Sequence, residues 1–215
     1  MTLNNSQFMK GRYIIMLGSW KVDVAVGTMP EKVATAFGKL GETLIGAEYT
    51  PIAYLGCQLV NGVNHAVLAE QLVLSGKDTK NIVVVIFNEK VGSMDDLTLV
   101  NIERVVEGGA PMGGTQIDVK TDIPVDAKEV FDAAFDGWVG SNVEPFALLA
   151  TQVVNGINYV FVTKVTSVTL EPQTSVDIVV INSESKEKSF NNLLTGKQDA
   201  VVLNGYRKLG YAFTW

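Results

Sequence analysis

Gln152-Val153-Val154-Asn155-Gly156-Ile157-Asn158-Tyr159 is a near copy of Gln58-Leu59-Val60-Asn61-Gly62-Val63-Asn64-His65, which stands 152 − 58 = 94 residues earlier. A duplication of this kind reads as one fold written twice. Asn-Gly between apolar runs predicts a β-hairpin with a tight type I′ turn, because both central positions need φ > 0, which Asn tolerates and Gly adopts freely. Each copy is expected to expose a short ridge at its tip, Val60-Asn61-Gly62-Val63 and Val154-Asn155-Gly156-Ile157. With a two-residue turn at 61–62, opposed residues sum to 123, so Gln58 faces His65 and Cys57 faces Ala66.

Upstream of each hairpin lies a helix signature. Pro30 and Glu31 suit a first turn, and Val33, Ala36, Phe37, Leu40 and Leu44 form one apolar stripe at helical spacing. Ala127, Val130, Phe131, Ala134 and Trp138 repeat that stripe after Pro124, which is again 94 residues beyond Pro30. Gly38 and Gly41 each weaken the first helix by about 1 kcal/mol relative to Ala, so it depends on packing against a sheet. Gly46 and Gly140 are placed to end the helices, and Pro51 and Pro145 bar their continuation.

Beyond each proline a strand leads into the Asn-Gly turn and returns through residues 63–74 or 157–170. The β-branched runs at 82–87 and 176–181 predict a further strand in each half, and 97–106 and 200–206 predict a last one. The apolar run 13–17 with the alternating Val22-Asp23-Val24 reads as an edge strand or an extended arm, and the alternation at 211–215 as a strand or a contact patch. Gly108-Gly109-Ala110-Pro111-Met112-Gly113-Gly114 reads as the joint between halves. The expected class is therefore α+β, each half carrying one helix packed on a four-stranded antiparallel sheet, with domains at 1–108 and 109–215.

Composition narrows the function. A net charge of −6 with no long basic run argues against nucleic acid or an anionic membrane as the main partner. Cys57 is the only cysteine, so no intrachain disulfide forms, and His65 is the only histidine. The apolar start, 13–17, is shorter than the 7–15 residues usual in a signal peptide. Cys57 and His65 flank the first hairpin but are out of register for a nucleophile–base pair, and the second copy has Thr151 and Tyr159 at those places. Asp95, Asp96, Asp132 and Asp136 read as solvated faces rather than metal or acid–base centres. The glycine-rich joint lacks the Gly-Lys-Ser/Thr context of a phosphate cradle. No enzyme, cofactor or metal is expected, and the oligomeric state is left open.

Helix, strand, Gln-x-Val-x-Gly hairpin and further strands together resemble the cystatins, protein inhibitors of papain-like cysteine proteases. Residues 150–159 are similar to that family's Gln-Val-Val-Ala-Gly segment, with Asn155 in place of Ala, and the first copy matches through Gln58, Val60 and Gly62. Gly18-Ser19-Trp20 and Met112-Gly113-Gly114 are similar to the glycine segment that precedes the family's helix. The resemblance implies two cystatin-like domains in tandem. Without disulfides these look like the stefin branch, which implies a cytoplasmic protein. It implies binding, and in the stronger form inhibition, by wedging Gly18, Gln58, Leu59, Val60, Asn61 and Gly62, and Gly113, Gln152, Val153, Val154, Asn155 and Gly156, into a protease cleft. The loops 88–96 and 183–199 lack the family's Pro-Trp edge, offering only Phe190 and Leu193-Leu194 as apolar candidates, and the second loop is some ten residues longer. That departure supports an alternative, a non-inhibitory binding or structural module on the same scaffold.

Overall fold

The computed structural model describes residues 19–75, 79–90, 96–108 and 114–194. In chain order these form β1 (Trp20–Val26), α1 (Glu31–Thr43), β2 (Ala47–Leu59), β3 (Val63–Val73), β4 (Thr79–Glu89), β5 (Leu97–Glu107), β6 (Thr115–Lys120), α2 (Val125–Phe135), β7 (Ser141–Val154), β8 (Gly156–Ser167), β9 (Thr174–Asn182) and β10 (Lys188–Asn192). Gly18, Gly113, the run 13–17, the strand expected at 200–206 and the 211–215 alternation lie outside the described residues. No helix among the described residues is long and apolar enough to cross a membrane.

The helices form for the reasons visible in sequence. Pro30 and Pro124 sit at the N-caps in extended conformation, and an acidic residue, Glu31 or Asp126, occupies each first turn, where it meets the positive end of the helix. Val33, Ala36, Phe37 and Leu40 are the buried face of α1; Ala127, Phe131 and Ala134 are that of α2. Trp138 lies past the end of α2 rather than on its stripe. Its indole stacks on Phe190 at 5.7 Å and donates to Ser141 Oγ at 2.9 Å, while Lys188 Nζ sits 5.0 Å from the ring and donates to the Ala134 carbonyl at 2.6 Å. A cation at that carbonyl complements the negative C-terminal end of α2.

Each sheet has five antiparallel strands, in the orders β1-β2-β3-β4-β5 and β10-β9-β8-β7-β6. The expected pair of α+β cystatin-like domains, each one helix on a four-stranded sheet, is therefore corrected: strands dominate the molecule, and the segment before each helix supplies a fifth. Trp20 pairs with Gln58 and Val26 with Ala53, so β1 fills the edge of β2 that the meander leaves open; β6 does the same for β7 through Thr115 and Gln152. An open edge of hydrogen-bonding groups beside an alternating segment favours this closure. β10 is a second correction, since 183–199 was expected to be loop. Asn182 Oδ1 accepts from the Glu184 and Ser185 amides, both at 3.0 Å, and Lys186 takes φ +58, so a short turn returns the chain onto β9.

The layer order is helix, sheet, sheet, helix. Val83, Val85 and Phe87 of β4 face α1 together with Tyr54 and Val67, while their neighbours Ile82 and Val84 face the other way. On that inner side they join Leu55, Leu68 and Val106 and meet Leu149, Val162, Ile178 and Val180 of the second sheet in one shared core. Phe131, Phe161, Val179 and Ile181 build the outer layer against α2. A strand buried on both faces reads as an unbroken apolar run. That is why residues 82–87 carry no polar position.

Two substitutions test this packing. A methyl at Gly38 meets no atom within 4 Å, so Gly38→Ala should raise stability by ~1 kcal/mol, read as a higher urea midpoint. Asp177 is buried where the first repeat has Val83, and burial pushes its carboxyl above the ordinary value although Ser175 Oγ donates to it at 2.6 Å. Because its folded value is raised, its favourable contribution is complete below pH 3.8 and is lost as pH rises through the folded value. Asp177→Asn should therefore stabilise the protein at neutral pH, and that gain should vanish in urea titrations at pH 3.5 or below.

Candidate functional site

The two hairpin tips are centred one residue away from a two-residue turn. Leu59 pairs with Val63, Gln58 with Asn64 and Cys57 with His65; in the second copy Val153 pairs with Ile157 and Gln152 with Asn158. Val60, Asn61 and Gly62 form a three-residue loop closed by the Val60 amide on the Gly62 carbonyl at 3.2 Å, with φ +42 at Asn61 and +119 at Gly62. Asn-Gly satisfies this loop as well as the type I′ turn, which is why the dipeptide alone gave a register one residue off. A Cβ on Gly62 would lie 2.6 Å from the Glu89 carbonyl oxygen, so the close packing of tip against β4 requires glycine there.

With this register Gln58 and Asn64, and their counterparts Gln152 and Asn158, bond one another across the strands. Asn64 Nδ2 donates to Gln58 Oε1 at 2.9 Å, and Asn88 Nδ2 donates to Asn64 Oδ1 at 2.7 Å and to the Val60 carbonyl at 3.2 Å. The second copy repeats the two side-chain bonds, Asn158 to Gln152 at 3.3 Å and Asn182 to Asn158 at 2.8 Å, and its loop bond falls one residue later, from Asn182 to the Asn155 carbonyl at 3.2 Å. Each is a ladder of three amides across three strands, and it ties the loop to the strand behind it. Asn88 and Asn182 were not singled out in sequence, although they too are 182 − 88 = 94 residues apart.

What remains at the surface is an apolar ridge flanked by one asparagine in each copy. Leu59 and Val60 are 40% and 43% exposed and Val153 is 66% exposed, with Asn61 and Asn155 also outward and Val154 half-buried. Ser19 and Gly114, the described neighbours of Gly18 and Gly113, lead directly into the strands whose first residues pair with Gln58 and Gln152. The structure thus gathers residues 58–62 at one tip and 152–156 at another. The two tips are not side by side. Trp20 and Gln58, next to the first, line a cleft of about 750 Å³ with Val165, Ser167 and Thr174, which lie at the far end of the second sheet. The 12 residues of β8, roughly 40 Å at about 3.3 Å per residue, separate that end from the second tip.

Among the described residues, the neighbouring turns add no exposed apolar side chain to the tips. Ser183 Oγ accepts from the Ile157 amide at 2.9 Å, and the rest of that turn is Glu184, Ser185, Lys186 and Glu187. Phe190 packs on Phe135 and Trp138, and Leu193 and Leu194 are 5% and 6% exposed in the shared core. At the first tip Lys90 and Asp96 form an ion pair of 2.5 Å, residues 91–95 lying outside the described set.

Beneath the first tip, on the helix side, His65 stands opposite Cys57. Both ring nitrogens of His65 are engaged: Nδ1 with Tyr54 Oη at 3.1 Å and Nε2 with Glu89 Oε2 at 3.4 Å. Burial holds the imidazole below its ordinary value, against the opposing pull of Glu89, and burial raises the Tyr54 hydroxyl with help from Cys57. The second copy has Tyr159 there, donating to Asp126 Oδ2 of α2 at 3.4 Å. Among the described residues no group of three or more His, Cys, Asp or Glu side chains is placed to hold a metal ion.

No protein-family model matches the chain, and no curated protein matches it. The amide ladder has a direct test. Asn158 is fully buried, so Asn158→Ala removes the acceptor of one Asn182 Nδ2 hydrogen in a buried setting; at about 1–3 kcal/mol for such a group the variant should lose ~2 kcal/mol. Leu59→Ala, at a half-exposed position, should change the urea midpoint far less.

Proposed function

We propose that this chain is a non-catalytic binding protein whose two apolar hairpin tips engage a protein partner, papain-like cysteine proteases being the partner class implied by the cystatin resemblance. One observation carries the reading. Gln58 and Asn64, like Gln152 and Asn158, are bonded to one another, so the tips offer Leu59 and Val60 in the first copy and Val153 in the second, each beside one outward asparagine, Asn61 or Asn155. Apolar tips on a rigid hairpin suit insertion into a groove and supply no acid, base or nucleophile. The stefin-like, disulfide-free character implies a cytoplasmic setting.

Magnitudes weigh on how strong such binding is. Burying a valine yields roughly 1.5–3 kcal/mol, whereas association costs about 4–15 kcal/mol. The turn at 183–187 adds only polar contacts, and Phe190, Leu193 and Leu194 are committed to the core. These observations favour a second reading, a binding or structural module on this scaffold that does not inhibit.

Titration of papain separates the two. In the first reading activity falls at micromolar protein, and Val60→Asp combined with Val153→Asp restores it. Undiminished activity, with no complex on gel filtration of active-site-blocked papain, removes proteases as partners. A complex with blocked papain and no loss of activity supports binding without inhibition.

A further inference from the structure

We propose that His65 makes the first hairpin tip acid-sensitive and leaves the second tip insensitive, so that the two repeats respond differently to the same fall in pH. The observation is the chain Tyr54–His65–Glu89, which spans β2, β3 and β4 immediately under the loop. A carboxylate only accepts, so Nε2 carries the proton in the neutral ring and donates to Glu89, and Nδ1 accepts from the Tyr54 hydroxyl. The ring lies between Tyr54 and Phe87, with centroids at 6.0 and 5.4 Å.

Protonation places a hydrogen on Nδ1. That nitrogen then no longer accepts, and the Tyr54 hydroxyl loses its acceptor and turns away; Cys57, within hydrogen-bonding reach of Tyr54, stands on the same side. At the other end the imidazolium draws the Glu89 carboxylate. Glu89 is the residue against which the tip closes, since its carbonyl oxygen comes within 2.6 Å of where a Gly62 Cβ would stand. Movement of Glu89 is therefore felt at Gly62. Among the described residues, the titratable groups facing this chain are Tyr54 and Cys57 from β2 and Glu89 from β4, with Asp23 of β1 acting on Tyr54 by charge. From α1 the approach is apolar, Phe37 meeting Phe87 at 6.3 Å.

The second copy lacks the device. Tyr159 replaces His65 and Ser183 replaces Glu89, so no imidazole stands under that tip, and burial holds the Tyr159 hydroxyl above its ordinary value; the carboxylate packed on Gly156 there belongs to Glu184. The folded state takes up the His65 proton less readily than the unfolded chain does. Its contribution to stability is therefore complete above pH 6.5 and is lost as pH falls through the folded value.

Amide chemical shifts of the full chain, followed by NMR from pH 7.5 to 5, test the proposal. Asn61, Gly62 and Val63 should shift with a single midpoint below 6.5, shared with the His65 ring, while Asn155, Gly156 and Ile157 do not follow that curve. His65→Gln should abolish the shift at the first tip, and Glu89→Gln should move the midpoint to lower pH by removing the anion that favours the imidazolium. If His65→Gln does not fold, the Glu89→Gln midpoint and the comparison of the two tips still decide. The proposal is overturned if the His65 ring titrates without movement at residues 61–63, if both tips move together, or if the shift persists in His65→Gln.

Discussion

Burial of both faces of each sheet is the constraint on which the rest depends. A helix of 13 or 11 residues covers one face of its sheet, and the opposite face, with Leu55, Leu68, Ile82 and Val84 or their counterparts, is as apolar as the first. Removing such side chains from water is worth roughly 1.5–3 kcal/mol each, far more than any surface ion pair supplies. Among the described residues no second helix covers that opposite face in either half, and the two sheets meet there. Everything nearer the ends of the strands, including the tips, inherits its position from that contact.

At the tips the governing chemistry changes from dispersion to hydrogen bonding. An amide in a largely apolar setting is costly unless both its donor and its acceptor are used. Gln58, Asn64 and Asn88 meet this demand by bonding one another in a row, and the last of them also donates to the Val60 carbonyl of the loop. The same solution in both halves accounts for the Gln and the second Asn of the repeated stretch, and close packing of the tip on the strand behind it for the Gly. These residues look like a recognition motif in sequence, and in the fold they are the fastening of the loop.

Much of the local structure was legible. Helical spacing located both helices, and β-branched runs located the central strands, because those signals depend on near neighbours only. The partner of β1 was not legible, since alternation identifies a strand without saying which edge it joins, and β6 was not read as a strand. β10 was hidden because Lys188-Ser189-Phe190-Asn191-Asn192 is polar and poor in β-branched residues, and it owes its place to the turn that Asn182 organises. The turn at 61–62 was misjudged by one residue because Asn-Gly suits two loop lengths, and that residue decides whether Cys57 or Gln58 faces His65. The face shared between sheets had left a trace in the uninterrupted apolar run at 82–87, which one covering helix does not explain.

Between the sheets β1 lies against β9 and β4 against β6, an arrangement with approximate two-fold symmetry, since β6 repeats β1 and β9 repeats β4. A lone copy of the repeat would leave its inner face bare, and two identical copies would close on each other as a symmetric dimer. The chain is the covalent form of such a dimer. Fusion changes what substitution can do: in a symmetric pair every replacement appears twice, whereas here His65 faces a counterpart in Tyr159 and Val83 one in Asp177. The joined halves are free to specialise, and each retains the other as the surface that completes it.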